Sequence, residues 1–353
     1  MSSLSGSVRP KRARRGQCPI CAGDGCAIWR SGGVCRFCVA GVWRGRTCRF
    51  CAGTGERQAT IICRRVQSAH ATKSGNGWIH SPDAETLATL PPASNILPLA
   101  SIEERHFFYS ALLDSLPLYD EHFQHLNQIR GLSEDSIANA QFKSVPSRFD
   151  GDKYLQSVTR TNPGIPGVFT VQDRLCLHLT GLDGFYIPIR DEHGRIQALQ
   201  VRQFSTRPKF AKYLMLGGAP KEWMPRACAG TPNHFLRFDA SSHCVLVVEG
   251  ILKSEIVAEY AHLIGLRCPI VACVGTGSYG EMGAQLKRLM PGLRVAFTAF
   301  DWDAPESKGA VDTALRRERL HRQFAEAGVR AEAVEWDGVK GFDDYLLKRA
   351  RCV

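Results

Sequence analysis

The sequence lacks any apolar stretch long enough to cross a bilayer, and its Ser- and Arg-rich N-terminus lacks the apolar segment of a secretory signal. These absences predict a cytoplasmic protein with no membrane partner. Acidic residues are scarce in residues 1–65, where only Asp24 and Glu56 accompany thirteen lysines and arginines. This block holds the whole net charge of +11, since basic and acidic residues are equal in number over the rest of the chain. It predicts a polyanionic partner.

The length of 353 residues and the hydrophobic fraction of 44% allow two domains and a small module. After Phe238 the pattern becomes strand, helix, strand, which predicts a parallel sheet and an α/β fold. We divide the chain into a disordered basic arm (1–16), a Cys-rich module (17–67), a largely irregular linker (68–102), a subdomain of helices and a hairpin (103–238) and a parallel-sheet domain (239–347).

The Cys-rich module is predicted to bind zinc. Without a signal peptide, cysteines favour metal over disulfides, and a Cys-x-x-Cys pair lets two thiolates reach one tetrahedral ion. The eight cysteines predict about two Zn²⁺, although spacing leaves the pairing of the ligands open: Cys18, Cys21, Cys26, Cys35, Cys38, Cys48, Cys51 and Cys63. Aromatic residues and arginines between them suit single-stranded nucleic acid, but the aromatics suit a small core of the module equally well.

Acidic residues stand at the ends of two apolar runs. One run, from Cys244, ends in Glu249, and the other, from Arg294, ends in Asp301-Trp-Asp303. Both predict buried parallel strands, and ligands of open α/β sheets bind at strand ends. Carboxylates meeting there repel one another unless a cation lies between them, and oxygen ligands suit Mg²⁺ or Mn²⁺. The alternative is that they cap the following helices.

The order of these motifs resembles the Toprim domain of bacterial primases, topoisomerases and some nucleases. Glu249-Gly250 comes first, then a strand ending in Cys273-Val-Gly275-Thr-Gly277, then Asp301-Trp-Asp303, then Gly341-Phe-Asp343-Asp344-Tyr-Leu. The resemblance covers about residues 243–347. It implies a Rossmann-like parallel sheet, with Glu249, Asp301 and Asp303 as catalytic ligands of Mg²⁺ and Asp343 completing the cluster.

The middle of the chain predicts a hairpin with many cations. Its strands are Tyr186–Arg190 and Arg195–Arg202, followed by Lys209 and Lys212. Such cations beside a carboxylate site hold phosphates, and a solvated hairpin is the alternative. The segment is similar to the N-terminal α+β subdomain of the RNA-polymerase core of bacterial replicative primases. That resemblance implies nucleotide or template binding by Arg202 and Lys212, and we add Arg195, Lys209 and Lys253 to this binding set.

Together the motifs resemble the primase-like proteins of plasmids, phages and integrated elements. This resemblance implies a DNA primase-like nucleotidyltransferase that uses nucleoside triphosphates and Mg²⁺ to synthesise primers on single-stranded DNA. It also implies a replicative helicase or another replication protein as partner. Primases usually place an acid four residues after the Toprim glutamate, where this chain has Lys253. Two alternatives therefore stay open: a Toprim nuclease, and a non-catalytic zinc and Toprim DNA-binding protein of a mobile element.

Overall fold

The computed structural model describes residues 97–352, apart from 159–160, 172–173, 178, 180–182, 205–211, 218–225, 275–280 and 302–307, together with five short strands nearer the N-terminus. The chain divides into two compact units, Met1–Ala93 and Ser94–Val353. Within the described residues, no helix combines the length and the apolar character that crossing a membrane requires.

The first unit contains short antiparallel strands. They are β1 (Ala27–Trp29), β2 (Val42–Trp43), β3 (Arg46–Thr47), β4 (Thr60–Cys63) and β5 (Trp78–His80). β4 pairs with β1 and β5, and β2 pairs with β3. β5 lies inside the segment 68–102, which was predicted to be a largely irregular linker; the rest of that segment up to residue 96 lies outside the described residues, so the linker stays a prediction. The arm 1–16, the side chain of Cys63 and the other seven predicted zinc ligands lie outside the described residues.

The second unit begins with helices and an antiparallel sheet. Its elements are α1 (Ile102–Asp114), α2 (Asp120–Gln124) with a π-helical turn (His125–Ile129), α3 (Glu134–Ala140), β6 (Lys143–Ser144), α4 (Gly151–Ser157), β7 (Val168–Val171), β8 (Arg174–Leu177), β9 (Gly184–Arg190), β10 (Ile196–Gln203) and β11 (Tyr213–Met215). The sheet order is β11-β10-β9-β6, and β7 pairs with β8 apart from it. The predicted hairpin is confirmed as β9 and β10.

The α1 helix covers one face of this sheet. Ser101 forms a capping box with Glu104, which fixes the start of the helix. Phe108 and Leu112 are fully buried in one cluster with Leu199 and Val201 of β10. The hairpin is therefore held rigidly, and β10 carries Arg202 at its far end.

A five-stranded sheet follows. Its elements are β12 (His234–Leu236), β13 (Cys244–Glu249), α5 (Ile251–Tyr260), a 3-10 turn (Ala261–Ile264), β14 (Ile270–Cys273), α6 (Met282–Leu289), β15 (Val295–Ala299), α7 (Lys308–Glu326), β16 (Arg330–Ala333) and α8 (Phe342–Ala350). The order is β12-β14-β13-β15-β16, with only β12 antiparallel to its neighbour. The two predicted buried parallel strands are confirmed as β13 and β15.

Helices cover both faces of this sheet. Val245 and Val247 pack in one cluster with Leu286 of α6 and Phe324 of α7. Leu246 and Val248 face the other side, in the cluster that contains Val257 of α5 and Leu346 of α8. Burial on both faces explains the unbroken apolar run that precedes Glu249.

The strand order places a topological switch at β13. The chain leaves β13 for β14 on one side and later returns to β15 on the other side. Such a reversal opens a crevice at the carboxyl ends of the central strands, where ligands of open α/β sheets bind. Glu249 ends β13, and Asp301 lies just beyond β15, so the two predicted ligands meet at this crevice.

Candidate functional site

A glycine shapes the turn after β13. Gly250 has a φ of 89°, in the region that favours glycine, and its N–H donates to the carbonyl of Cys273 at 2.9 Å. Helix α5 begins at the next residue. The first turn of α5 therefore starts directly at the strand ends, and it carries Lys253.

Lys253 and Asp301 form an ion pair in which Nζ donates to Oδ1. Burial opposes the charge of Lys253, but the carboxylates of Asp301, Asp343 and Glu249 outweigh it and raise the lysine pKa above its usual value. Lys253 was predicted to bind nucleic acid or nucleotide. That role stays a prediction: its ammonium group contacts Asp301, and the charges of Asp343 and Glu249 act on it. We call Glu249, Asp301 and Asp343 the carboxylate cluster.

Asp343 is the most buried member of the carboxylate cluster. It lies in the first turn of α8, is 1% exposed, and neither of its oxygens has a hydrogen-bond partner among the described residues. A Cβ at Gly341 would collide with its Oδ1, so the glycine lets the carboxylate fold back over the helix start. Burial raises the pKa of Asp343, and Lys253 opposes that shift.

The carboxylate cluster has the donor chemistry of a divalent-cation site. Buried carboxylate oxygens normally find hydrogen bonds or a cation, and those of Asp343 have no hydrogen bond among the described residues. Oxygen donors suit Mg²⁺ and Mn²⁺. The oxygen donors of Glu249, Asp301 and Asp343 suit such an ion, but among the described residues these three carboxylates do not come close enough together to hold one ion as they stand. The predicted ligand Asp303 lies outside the described residues.

Arg202 is buried at the end of β10. It is 6% exposed, and its guanidinium lies 4.8 Å from the ring centre of Phe204. Its Nε and Nη1 are buried and have no hydrogen-bond partner among the described residues. Burial lowers the pKa of Arg202, although arginine stays charged at neutral pH. Buried guanidinium nitrogens without partners are suited to an anion such as phosphate.

Arg130 connects Arg202 with the carboxylate cluster. Its Nη1 lies 3.8 Å from Asp343 Oδ2 and 3.9 Å from Asp344 Oδ1, and its buried Nε has no partner among the described residues. The next residue, Gly131, has a φ of 71°, and its carbonyl accepts from the hydroxyl of Tyr260. We did not predict Arg130; the only signal in the sequence was its place before a glycine at a helix end.

Lys212 extends this positive surface. It precedes β11, which pairs with β10, so it lies beside Arg202. Burial lowers the pKa of Lys212, and the charges of Arg202, Arg130 and Lys253 lower it further. We call Arg130, Arg202 and Lys212 the cationic cluster. Lys209, the neighbouring predicted residue, lies outside the described residues.

The pKa of His125 shows the effect of the positive charges of the cationic cluster. Burial lowers its pKa to about 4, with further contributions from Arg202, Arg130 and Lys212. The ring centres of His125 and Phe204 lie 4.8 Å apart in an edge-to-face arrangement. Phe204 also packs against the guanidinium of Arg202. A neutral histidine beside three cations indicates a strongly positive local potential that an anion would relieve.

Arg195 is not part of this site. Its Nε donates to Asp191 at 2.8 Å and its Nη1 to Glu103 at 2.6 Å, so it fixes the hairpin turn to α1. It lies seven residues before Arg202 along a strand, roughly 20 Å away. The predicted role of Arg195 in nucleic-acid binding is therefore separated from the cationic cluster.

A histidine between two acidic residues forms a second group of possible metal ligands. The Nε2 of His122 lies 3.9 Å from a carboxylate oxygen of Glu121 and of Asp183. Nδ1 of His122 lies 2.7 Å from the hydroxyl of Ser144. Both carboxylates are exposed, and exposed acidic groups often lie near a histidine without binding an ion, so we assign this group no function.

Comparisons with known proteins match the fold. No family model and no curated protein sequence matches the chain. Its structure is similar to a primase from Aquifex aeolicus, solved with its zinc-binding and RNA polymerase domains: the TM-score is 0.51 and the identity 13%, over 70% of this chain. The match spans 59% of that primase chain. The RNA polymerase domain of the Mycobacterium tuberculosis primase DnaG gives a TM-score of 0.48 and an identity of 19%, over 72% of this chain and 80% of that one. At this identity the first likeness shows a shared primase-like fold.

Proposed function

We propose that this chain is a primase-like nucleotidyltransferase, which synthesises primers on single-stranded DNA from nucleoside triphosphates. One observation carries the proposal: Arg130 lies at 3.8 Å from the buried carboxylate of Asp343 while its charge also acts on Arg202 and Lys212. In this proposal a site for a divalent cation lies next to a site for phosphates, which is the arrangement that phosphoryl transfer requires.

Each cluster has its own task in this proposal. Glu249, Asp301 and Asp343, together with Asp303, would hold Mg²⁺, and a bound Mg²⁺ would supply a positive charge that activates a 3′-hydroxyl and neutralises the leaving pyrophosphate. Arg130, Arg202 and Lys212 bind the phosphates of the nucleotide or of the template. The buried guanidinium of Arg202 has two unpartnered nitrogens among the described residues, which suits two oxygens of one phosphate. The rigid hairpin keeps that group in place before substrate arrives.

The N-terminal Cys-rich module, with about two Zn²⁺, is proposed to bring single-stranded DNA to this site. The whole excess of positive charge lies in residues 1–65. Phosphate contacts of that kind give affinity and little sequence preference. A mobile genetic element as the source, and a helicase or another replication protein as partner, belong to the same proposal.

The decisive experiment incubates the full chain with a single-stranded template, Mg²⁺ and labelled ribo- or deoxynucleoside triphosphates. Extended products support the primase, a shortened template supports the Toprim nuclease, and a gel shift without either product supports the non-catalytic DNA-binding protein. Asp301→Asn should abolish extension and keep template binding. Arg202→Met should raise the nucleotide or template concentration needed for half-maximal rate, while Arg195→Met, just before the same strand, should not.

A further inference from the structure

An uncommon helical turn carries both His125 and Arg130. Residues His125–Ile129 form a π-helical turn, and the N–H of Arg130 donates to the carbonyl of His125 at 3.0 Å. Such turns are rare and are found frequently at functional sites. The hydrogen bond joins residues five apart, so the turn begins at the histidine and closes at the arginine. His125 is thereby tied to a member of the cationic cluster through the backbone.

Four buried nitrogen atoms in this region have no hydrogen-bond partner among the described residues. They are Nε2 of His125, Nε of Arg130, and Nε and Nη1 of Arg202. The imidazole of His125 and the guanidinium of Arg202 both pack against Phe204, each at 4.8 Å from the centre of its ring. Buried polar atoms normally have a partner. An anion with several oxygen atoms is a ligand that would supply partners to nitrogens of this kind.

The surroundings keep the imidazole of His125 neutral in the unliganded protein. Burial is the largest cause of its lowered pKa of about 4. The charged and titratable groups that face it are Arg202 of β10, Arg130 after the π-helical turn, Lys212 before β11 and His122 of α2, and each of them lowers this pKa further. A bound phosphate would offset these positive charges and favour the imidazolium form.

We propose that His125 belongs to the phosphate site and takes up one proton when a phosphate group binds to the cationic cluster. The proton comes from water and is added to the ring nitrogen that lacks one, so no other bond forms or breaks. The imidazolium then adds a positive charge and an N–H donor to the site. Phosphate should therefore bind more tightly as the pH falls. The inference rests on the proposed function, because it adds a residue to the proposed nucleotide or template site.

The inference is tested by measuring proton uptake on binding, by titration calorimetry of the full, zinc-loaded chain in buffers of different ionisation enthalpy. A single-stranded oligodeoxynucleotide and a nucleoside triphosphate are titrated separately, since the phosphate can come from either. If binding returns the pKa of His125 from about 4 to its ordinary value of about 6.5, the wild type should take up roughly 0.7 of a proton at pH 6. It should then bind about four-fold more tightly at pH 6 than at pH 8.

Two variants separate His125 from the other titrating groups. His125→Gln keeps a polar side chain that cannot take up a proton, so it should lose most of the uptake and most of the pH dependence. It also corrects for protons that the triphosphate itself exchanges. His193→Gln removes an exposed histidine from the turn of the hairpin, at the other end of β10 from Arg202, and should behave as the wild type does.

Two results would overturn the inference. One is an equal uptake of protons by the wild type and by His125→Gln. The other is a His125 ring signal that titrates near pH 6.5 in the unliganded wild type, followed by nuclear magnetic resonance, and this measurement needs no variant to fold. Uptake with one probe and not with the other would support the inference and identify the source of the phosphate.

The proton uptake and the primer assay fail independently. Uptake that depends on His125, without primer synthesis, would refute the polymerase and leave the phosphate site standing. Primer synthesis with the same uptake in the wild type and in His125→Gln would refute the role of His125 alone. No binding of either probe by the folded wild type would refute both.

Discussion

Asp343→Asn should make the protein more stable in the absence of metal and less responsive to Mg²⁺. The wild-type carboxylate is 1% exposed, with no hydrogen bond to either oxygen among the described residues. A buried polar group without a partner costs about 1–3 kcal/mol, and more when it is charged. Lys253 and Arg130 recover part of that cost. We therefore expect a net gain of about 1–2 kcal/mol when the charge is removed.

The gain appears in thermal melting without added Mg²⁺. For a folded unit of this size, each kcal/mol moves the melting temperature by about 2–4 °C, so the variant should melt roughly 2–8 °C above the wild type. Added Mg²⁺ should stabilise the wild type more than the Asp343→Asn variant. At ten times its Kd a bound ion stabilises the wild type by about 1.4 kcal/mol, and the variant should lose most of that response.

Asp344→Asn is the matched control. Asp344 is the next residue in the same first turn of α8 and also lies near Arg130, but it is 50% exposed. Both substitutions remove a negative charge from the start of the helix, which costs about 0.3–1 kcal/mol in either variant. The difference between them therefore isolates burial. If Asp343→Asn melts below Asp344→Asn without Mg²⁺, Lys253 and Arg130 fully satisfy the carboxylate, and the argument for a metal at this residue fails.

Three further predictions concern other parts of the chain. Stability should fall as pH is lowered from about 6.5 to about 4, because the unfolded chain then binds a proton at His125 that the folded protein does not; His125→Gln should flatten this dependence, measured by urea denaturation at several pH values across that range. Elemental analysis should find about two Zn²⁺ per chain, and Cys51→Ser should lower the count without changing the melting of the second unit; folded, reduced protein without zinc would refute the module. Deleting residues 1–65 should weaken binding of single-stranded DNA and reduce its salt dependence by about 0.7 log units of affinity per log unit of salt for each phosphate that the shortened chain no longer neutralises. An unchanged salt dependence would indicate that DNA binds at the cationic cluster and not at residues 1–65.

The parallel sheet could be predicted because its signals are local. β13 and β15 are short apolar runs that end in acidic residues, and the hairpin of β9 and β10 alternates around a turn at Asp191–Gly194. Helix α3 begins after Ser133, whose hydroxyl accepts from the N–H of Ser136, as a capping residue should. β5 was missed because a three-residue strand is too short to show a period.

The site was predicted less completely, because its contacts join distant parts of the chain. Arg130 meets Asp343 across more than two hundred residues, and Lys253 meets Asp301 across 48. No spacing rule connects such pairs. Arg195 and Arg202 look alike in the sequence, yet one is held by Asp191 and Glu103 while the other is buried without a carboxylate partner among the described residues. Burial and partners separate the two arginines, and neither can be read from the cationic pattern of the hairpin.

If the proposed function holds, the position of Arg130 between the two clusters would make the binding of metal and the binding of phosphate favour each other. Its distances of 3.8 and 3.9 Å from Asp343 and Asp344 are those of ion pairs without hydrogen bonds, so the guanidinium is attracted to the carboxylates without being fixed by them. A divalent cation at Asp343 would take over the compensation of that charge and leave Arg130 to a phosphate. A phosphate bound first would in turn draw Arg130 away and make Asp343 more attractive to a cation. Such coupling is reciprocal. A nucleotide that arrives with its metal would compensate the charges of both clusters at once, whereas either component alone would leave one buried charge without compensation.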